Sequence, residues 1–223
     1  MAVFVEPVIL FEDNHILVAV KPAGVLSQED ATGAPDMLTI LKSYLKKKYD
    51  KPGNVYLGLL HRLDRPVSGV MVFAKTSKAA SRISEQIREK KMVKRYRAVV
   101  QGVPPLEEDT LRGWLLKDEK SNRTTVFKDV AGPPPTGAKL SVLKYKVVKI
   151  MSDKGGRRAF LEIDLLTGRS HQIRAQLADL GCPILGDGKY GRKSTDVPDI
   201  ALEAFSLSFA HPITKDMMTF VLP

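Results

Sequence analysis

The sequence predicts an α+β fold with a mixed, largely antiparallel sheet. Strand-length apolar or alternating runs outnumber helical patterns. They do not alternate regularly with helices, as a doubly wound parallel sheet demands. Only short loops punctuated by Pro and Gly separate them.

Taken in order, Ile16-Leu17-Val18-Ala19-Val20 is a buried strand closed by the turn Lys21-Pro22-Ala23-Gly24. Met37 to Tyr49 is helical, ends in Lys46-Lys47-Lys48, and meets Pro52-Gly53 as its stop. Val70 to Ala74 is strand-like. Ser77 then caps a helix that places Ala80, Ile83 and Ile87 on one face. Arg95 to Gln101 is a strand ending at Gly102. The middle is looser, with Gly132-Pro133-Pro134-Pro135 as the best hinge or surface loop. From Ala159 to Leu166 the chain alternates, with Leu161, Ile163 and Leu165 inward and Glu162 and Asp164 outward. A helix from about Ser170 to Leu180 carries Ile173, Leu177 and Leu180 as its apolar stripe; Gly181 and Pro183 end it. Phe205 to Ala210 is the last strand.

The chain has 223 residues, 43% of them apolar and 27% charged, enough for one large domain or two small subdomains. That composition excludes a disordered tail, a coiled coil and a collagen-like chain. Lys and Arg number 35 against 25 Asp and Glu, a formal charge of +10 that favours a polyanionic partner. A single cysteine, Cys182, permits no internal disulfide and no Cys-based zinc site. The N-terminal MAVFVEPVIL has neither the positive region of a secretory signal nor the character of a transit peptide, and no apolar run is long enough for a membrane span. A cytoplasmic protein is expected.

Some motifs carry little. Gly186-Asp187-Gly188-Lys189-Tyr190-Gly191 matches the dinucleotide glycine pattern, but Arg192 to Pro198 cannot open the helix that pattern requires. His15, His61, His171 and His211 have no metal-ligand spacing. His61-Arg62-Leu63-Asp64 lacks the glycine-rich loop and magnesium motif of a kinase.

Three segments concentrate chemistry. In His61-Arg62-Leu63-Asp64-Arg65-Pro66-Val67-Ser68-Gly69 one carboxylate sits between two arginines, ahead of a strand. Flanking guanidinium groups favour the ionised form that a nucleophile or base needs, and can hold phosphates. A surface aspartate capping a turn is the plainer alternative. In Leu166 to Arg174 a strand feeds a helix N-terminus, where backbone N–H groups attract anions. Arg174 lies beside the apolar stripe, so its guanidinium can reach a pocket beneath the helix; the alternative is a solvated basic face. Tyr96, interleaved with Lys94, Arg95 and Arg97, is either a plain core tyrosine or a platform for a base.

Together these segments resemble the RluA-type pseudouridine synthases. His61 to Gly69 resembles the family's HRLDRxTSG segment, Lys94 to Gly102 its KxYxAxVxG strand, and Thr167 to Arg174 with Pro183 to Gly191 its TGRTHQIR…PIxGDxxYG block. Asp13 to Gly24 is similar to its first strand and KPxG turn. The matches run in family order from residue 13 to residue 212. Pro66-Val67 departs from the family's usual acidic residue and Thr, Ser170 replaces Thr, and Glu203 stands where His is common.

The resemblance implies a pseudouridine synthase fold of two subdomains flanking a catalytic cleft. It implies a single catalytic domain over 1–223, with no accessory N-terminal RNA-binding domain. The implied reaction is isomerisation of uridine in structured RNA, rRNA or tRNA, without metal or cofactor; nothing in the sequence suggests more than a monomer. Asp64 maps to the essential carboxylate, Tyr96 to the residue that stacks on the target base, and Arg174 to the arginine that pairs with the aspartate. Arg62 beside Asp64 is placed to fill the space of a flipped base, and Arg65, Arg169, His171 and Gln172 complete the expected RNA-binding set. Two other classes compete: a catalytically silent RNA-binding protein, for which Asp64 is dispensable, and a hydrolase with an Asp nucleophile, which needs a second carboxylate.

Overall fold

The computed structural model describes residues 6–128, 133–153, 156–191 and 199–223. Along the chain lie strands β1 (Val8–Glu12) and β2 (Ile16–Lys21), helix α1 (Met37–Lys48), strands β3 (Gly58–Leu59) and β4 (Ser68–Ala74), and helix α2 (Ser77–Arg88). Strands β5 (Val93–Gln101), β6 (Glu108–Asp118), β7 (Arg123–Lys128), β8 (Lys139–Asp153) and β9 (Gly156–Leu165) follow. Helix α3 (Gln172–Asp179) and strands β10 (Leu202–Ala210) and β11 (Met217–Val221) complete the set. The chain is an α+β protein, and the ladders β1–β2, β2–β4, β3–β4, β10–β11, β5–β9, β8–β9, β6–β8 and β6–β7 are antiparallel.

It divides into two compact units. One comprises the residues up to Met92 with Ala204–Pro223; the other is Val93–Glu203.

In the first unit the strand order is β1-β2-β4-β10, with β3 on β4 and β11 on β10. Strand β2 reads as a continuous apolar run because both of its faces are covered. Ile16 and Val18 join Val70, Val72, Phe205, Leu207 and Phe209 in a core that takes Ala79 and Ile83 from α2. Leu17, Ala19, Met71 and Phe73, pointing the other way, are just as buried. Helix α1 begins where Asp36 accepts the N–H of Thr39 at 3.1 Å and buries Met37, Leu41 and Leu45, a stripe of period four. For α2 the cap is Thr76, not Ser77: its extended backbone lets Oγ1 accept the N–H of Ala79 at 3.1 Å, and Ser77 is the first helical residue.

In the second unit the order is β5-β9-β8-β6-β7. Strand β9 alternates as the sequence predicts: Leu161 and Ile163 are buried, while Glu162 faces Arg97 and Asp164 faces Arg95 across the ladder to β5. Strand β8 buries Leu143, Tyr145 and Val147, then shifts register between Val147 and Lys149. Helix α3 is shorter than expected. It starts at Gln172 because His171 adopts a left-handed φ of 52°, and it has no side-chain cap. It buries six consecutive residues, Gln172 to Leu177, so the expected stripe is a nearly complete envelope. Gly181, at φ 84°, closes its C-terminus. Of the expected loop, Gly132 lies outside the described residues and Pro133–Pro135 form no regular element. Residues 192–198 likewise lie outside them.

Candidate functional site

Asp64 sits in the irregular segment between β3 and β4, and the chain on either side of it is fastened at alternate residues. His61 accepts the N–H of Val72 on Nε2 at 3.2 Å, which puts its ring proton on Nδ1. Leu63 is held twice by the buried Ser27 hydroxyl, which accepts its N–H at 3.0 Å and donates to its carbonyl at 2.9 Å. The Arg65 carbonyl accepts the N–H of Gly24 at 2.9 Å and the ammonium of Lys21 at 3.0 Å, and Arg65 Nε donates to the Gly24 carbonyl at 3.0 Å. Arg62 and Asp64 fall between these anchors. The turn closes where Val67 N–H donates to the Asp64 carbonyl at 3.0 Å. Pro66 therefore sits inside a hydrogen-bonded turn, and Val67 is buried.

Lys21 is the residue whose role the sequence left hidden. It is fully buried, and its Nζ donates to three carbonyls: Val25 at 2.6 Å, and Pro22 and Arg65 at 3.0 Å each. Burial pushes its pKa down to about 8 against the pull of the Asp64 carboxylate. The KPxG turn is thus a clamp on the loop carrying the aspartate. Gly69, the glycine that ends the His61–Gly69 segment, has φ 138°, and a Cβ there would lie 2.4 Å from the Ala204 carbonyl oxygen. Ala204 follows Glu203, the residue that stands where the family commonly has His.

Tyr96 lies in the second unit, in the middle of β5, opposite Ile163 and only 6% exposed. Of its basic neighbours, Lys94 shares its face of the strand, whereas Arg95 and Arg97 do not. Arg95 turns to the opposite face, where it meets Glu162 at 2.6 Å and Asp164 at 3.2 Å.

The block around α3 is a second fastened turn. Thr167 Oγ1 accepts the Val142 N–H at 2.8 Å and donates to Gln172 Oε1 at 2.8 Å. Gln172 Oε1 also accepts the Arg169 N–H at 3.1 Å, and its amide donates to the Val142 carbonyl at 3.1 Å. Gln172, expected to touch RNA, is buried and has these bonds inside the turn. His171 Nδ1 lies 2.8 Å from the Tyr190 hydroxyl, which accepts the Thr124 N–H at 2.7 Å. Arg169 is exposed, with Nε on the Leu140 carbonyl at 3.0 Å.

Arg174 points into the unit's interior. Its Nε and Nη2 each donate to Asp187 at 2.8 Å, a bidentate pair with both side chains buried. Asp187 Oδ1 also accepts the N–H groups of Lys189 and Tyr190. Burial alone would raise the Asp187 pKa, but the Arg174 guanidinium and these bonds hold it below the usual carboxylate range. The glycine pattern 186–191 is therefore a tight turn built on Asp187, with Gly191 N–H returning to the Asp187 carbonyl at 2.8 Å. Among the described residues no cluster of His, Cys, Asp or Glu is arranged to hold a metal, and no helix is long and apolar enough to cross a membrane.

The sequence matches the family described as RNA pseudouridylate synthase over residues 15–179. It is 32% identical over 235 residues to the ribosomal large subunit pseudouridine synthase C of Buchnera aphidicola subsp. Baizongia pistaciae, covering 100% of this chain and 69% of that one. It is 31% identical over 214 residues to the dual-specificity RNA pseudouridine synthase RluA of Haemophilus influenzae, covering 95% and 90%. The fold is similar to the solved structure of human RNA pseudouridylate synthase domain containing 4, with a TM-score of 0.78 at 25% identity over 97% of this chain and 88% of that one.

Proposed function

Because this chain belongs to the RNA pseudouridylate synthase family, we propose that Asp64 is the essential carboxylate with which it converts uridine in RNA to pseudouridine. The reaction breaks the bond from ribose C1′ to N1 of uracil, turns the base, and forms a bond from C1′ to C5; the C5 hydrogen leaves to water. The observation that carries the assignment of Asp64 is the fastening of its loop by Lys21, Gly24, Ser27 and Val72. A residue that only capped a surface turn has no need of a fully buried lysine held to the next carbonyl.

We assign Tyr96 to stack on the extruded base, a contact worth about 1–3 kcal/mol. Extrusion costs a few kcal/mol and least in loops, which favours structured RNA loops of rRNA or tRNA as targets. We assign Arg174, whose guanidinium plane Asp187 fixes, to the place of the family's active-site arginine. Arg62 takes the place of the flipped base. Arg65 and Arg169, both exposed, contact phosphates. His171 and Gln172 hold the turn that presents Arg169. The chain acts as a monomer in the cytoplasm.

The test is release of tritium from RNA labelled at C5 of uracil, run separately on tRNA and rRNA with wild type and Asp64→Asn. Release by wild type alone supports the assignment. Equal release by both proteins would remove Asp64 from the chemistry.

A further inference from the structure

The basic run Lys94-Arg95-Tyr96-Arg97 is divided by the pleat of β5. Side chains alternate faces along a strand, so Arg95 and Arg97 share one face, and Lys94, Tyr96, Ala98 and Val100 share the other. On the first face the register sets Arg95 against Asp164 and Arg97 against Glu162, and Arg95 bonds to both acids. The cations there are matched.

On the second face nothing matches Lys94. One step before the Arg95–Asp164 pair, Lys94 comes opposite the half-buried Leu165 with Ile163 diagonal to it on β9, and Leu143 and Tyr145 stand beyond them on β8. Lys94 is partly buried and makes no hydrogen bond or ion pair among the described residues. Burial lowers its pKa, and no neighbouring charge adds to or opposes that effect. An ammonium partly withdrawn from water without a partner is a cost to the fold. A methionine of similar length would cover the same surface without it.

We propose that Lys94 is a phosphate-binding position, holding the backbone phosphate beside the uridine that stacks on Tyr96. This rests on the assignment of Tyr96 to the base. Residues two apart on one strand face stand roughly 6–7 Å apart, the scale of the separation between a base and its own backbone phosphate. The ligand is the phosphate because uracil itself is neutral, and a lysine meets phosphate as a point charge.

The experiment compares Lys94→Met and Lys94→Arg with wild type in binding of a uridine-containing RNA stem-loop across salt concentrations, in kcat and KM, and in thermal melting. For Lys94→Met the expected result is binding weaker by about tenfold at moderate salt. The salt slope falls by about 0.7–1, one phosphate contact. The effect falls mainly on KM, and the melting temperature is unchanged or higher. Lys94→Arg restores binding. Wild-type affinity and slope in Lys94→Met would overturn the proposal. So would loss of folding in both Lys94→Met and Lys94→Gln, which would make the lysine structural. Asp64→Asn and Tyr96→Leu, assayed in parallel, separate the two failures. If both are inactive while Lys94→Met behaves as wild type, the site stands and only the Lys94 proposal falls. If both turn over normally, the site assignment and the proposal built on it fail together.

Discussion

Lys21 Nζ lies 3.0 Å from the carbonyl oxygen of Arg65, the residue next to Asp64, although 44 positions separate the two in sequence. An ammonium has three N–H donors and meets three carbonyls here, so each proton is committed.

Lys21→Met should therefore separate stability from turnover. Relief of the buried charge offsets much of the lost hydrogen bonding, leaving a stability change of about 1–2 kcal/mol. Turnover should fall at least about tenfold, because the carbonyl beside Asp64 loses its anchor. The pH dependence carries a sign of its own. The folded pKa of Lys21, about 8, lies below its ordinary value of 10.5. The charge costs the fold most below pH 8, and that cost lifts as pH rises from 8 to 10.5. A neutral amine has only two N–H donors for three carbonyls. Turnover thus declines through about pH 8 while this group's contribution to stability increases. Steady-state kinetics and melts across pH 7–10.5 check both.

Gly69→Ala should destabilise the first unit by about 3 kcal/mol or more, read by urea unfolding. Its added methyl group would collide with backbone and side chain of Ala204, and φ is 138°. A wild-type midpoint would contradict the close approach of these two strands.

Breaking the Arg174–Asp187 pair from one side should cost about 3–5 kcal/mol, since Asp187→Asn leaves a buried guanidinium without its carboxylate. Arg174→Lys should also lose stability, because an ammonium cannot reproduce the two-pronged contact. Denaturant unfolding measures each.

Glu12 supplies an acid-stability signature. Burial would raise its pKa, but hydrogen bonds from Lys48, Lys75 and Tyr49 outweigh it and hold the carboxyl at about 2. A depressed carboxylate stabilises the fold above its unfolded pKa, near 4.5, and that contribution, on the order of 3 kcal/mol, is lost as pH falls from 4.5 to 2. Glu12→Gln should be less stable than wild type at pH 6 and flatter between pH 4.5 and 2.

The parts of the fold legible in the sequence were those with strong local signals. Strand β2 is a continuous apolar run, α1 has its period-four stripe and terminal lysines, and β9 alternates cleanly. The stretch holding β6, β7 and β8 was not legible, because its Pro and Gly clusters dominate the local pattern. The signal in β8 was Leu143, Tyr145 and Val147 alternating with Lys144 and Lys146, interrupted at the register shift near Val148. In the site, Asp64 between two arginines stood out by composition. Its supports did not, since Ser27 to Leu63 and Lys21 to Arg65 are contacts across more than 35 residues that no local pattern encodes. Arg174 was legible as an inward-pointing cation, but not its bidentate seat on Asp187.

The most direct measurement is Asp64→Asn assayed on one RNA preparation for both pseudouridine formation and equilibrium binding. The amide keeps the shape of the carboxylate and removes its charge, while the Lys21 and Ser27 anchors on the neighbouring backbone stay in place. Isomerisation should be abolished, with RNA affinity within a few fold of wild type. Retained isomerisation, or a loss of affinity matching the loss of activity, would contradict a catalytic role for Asp64.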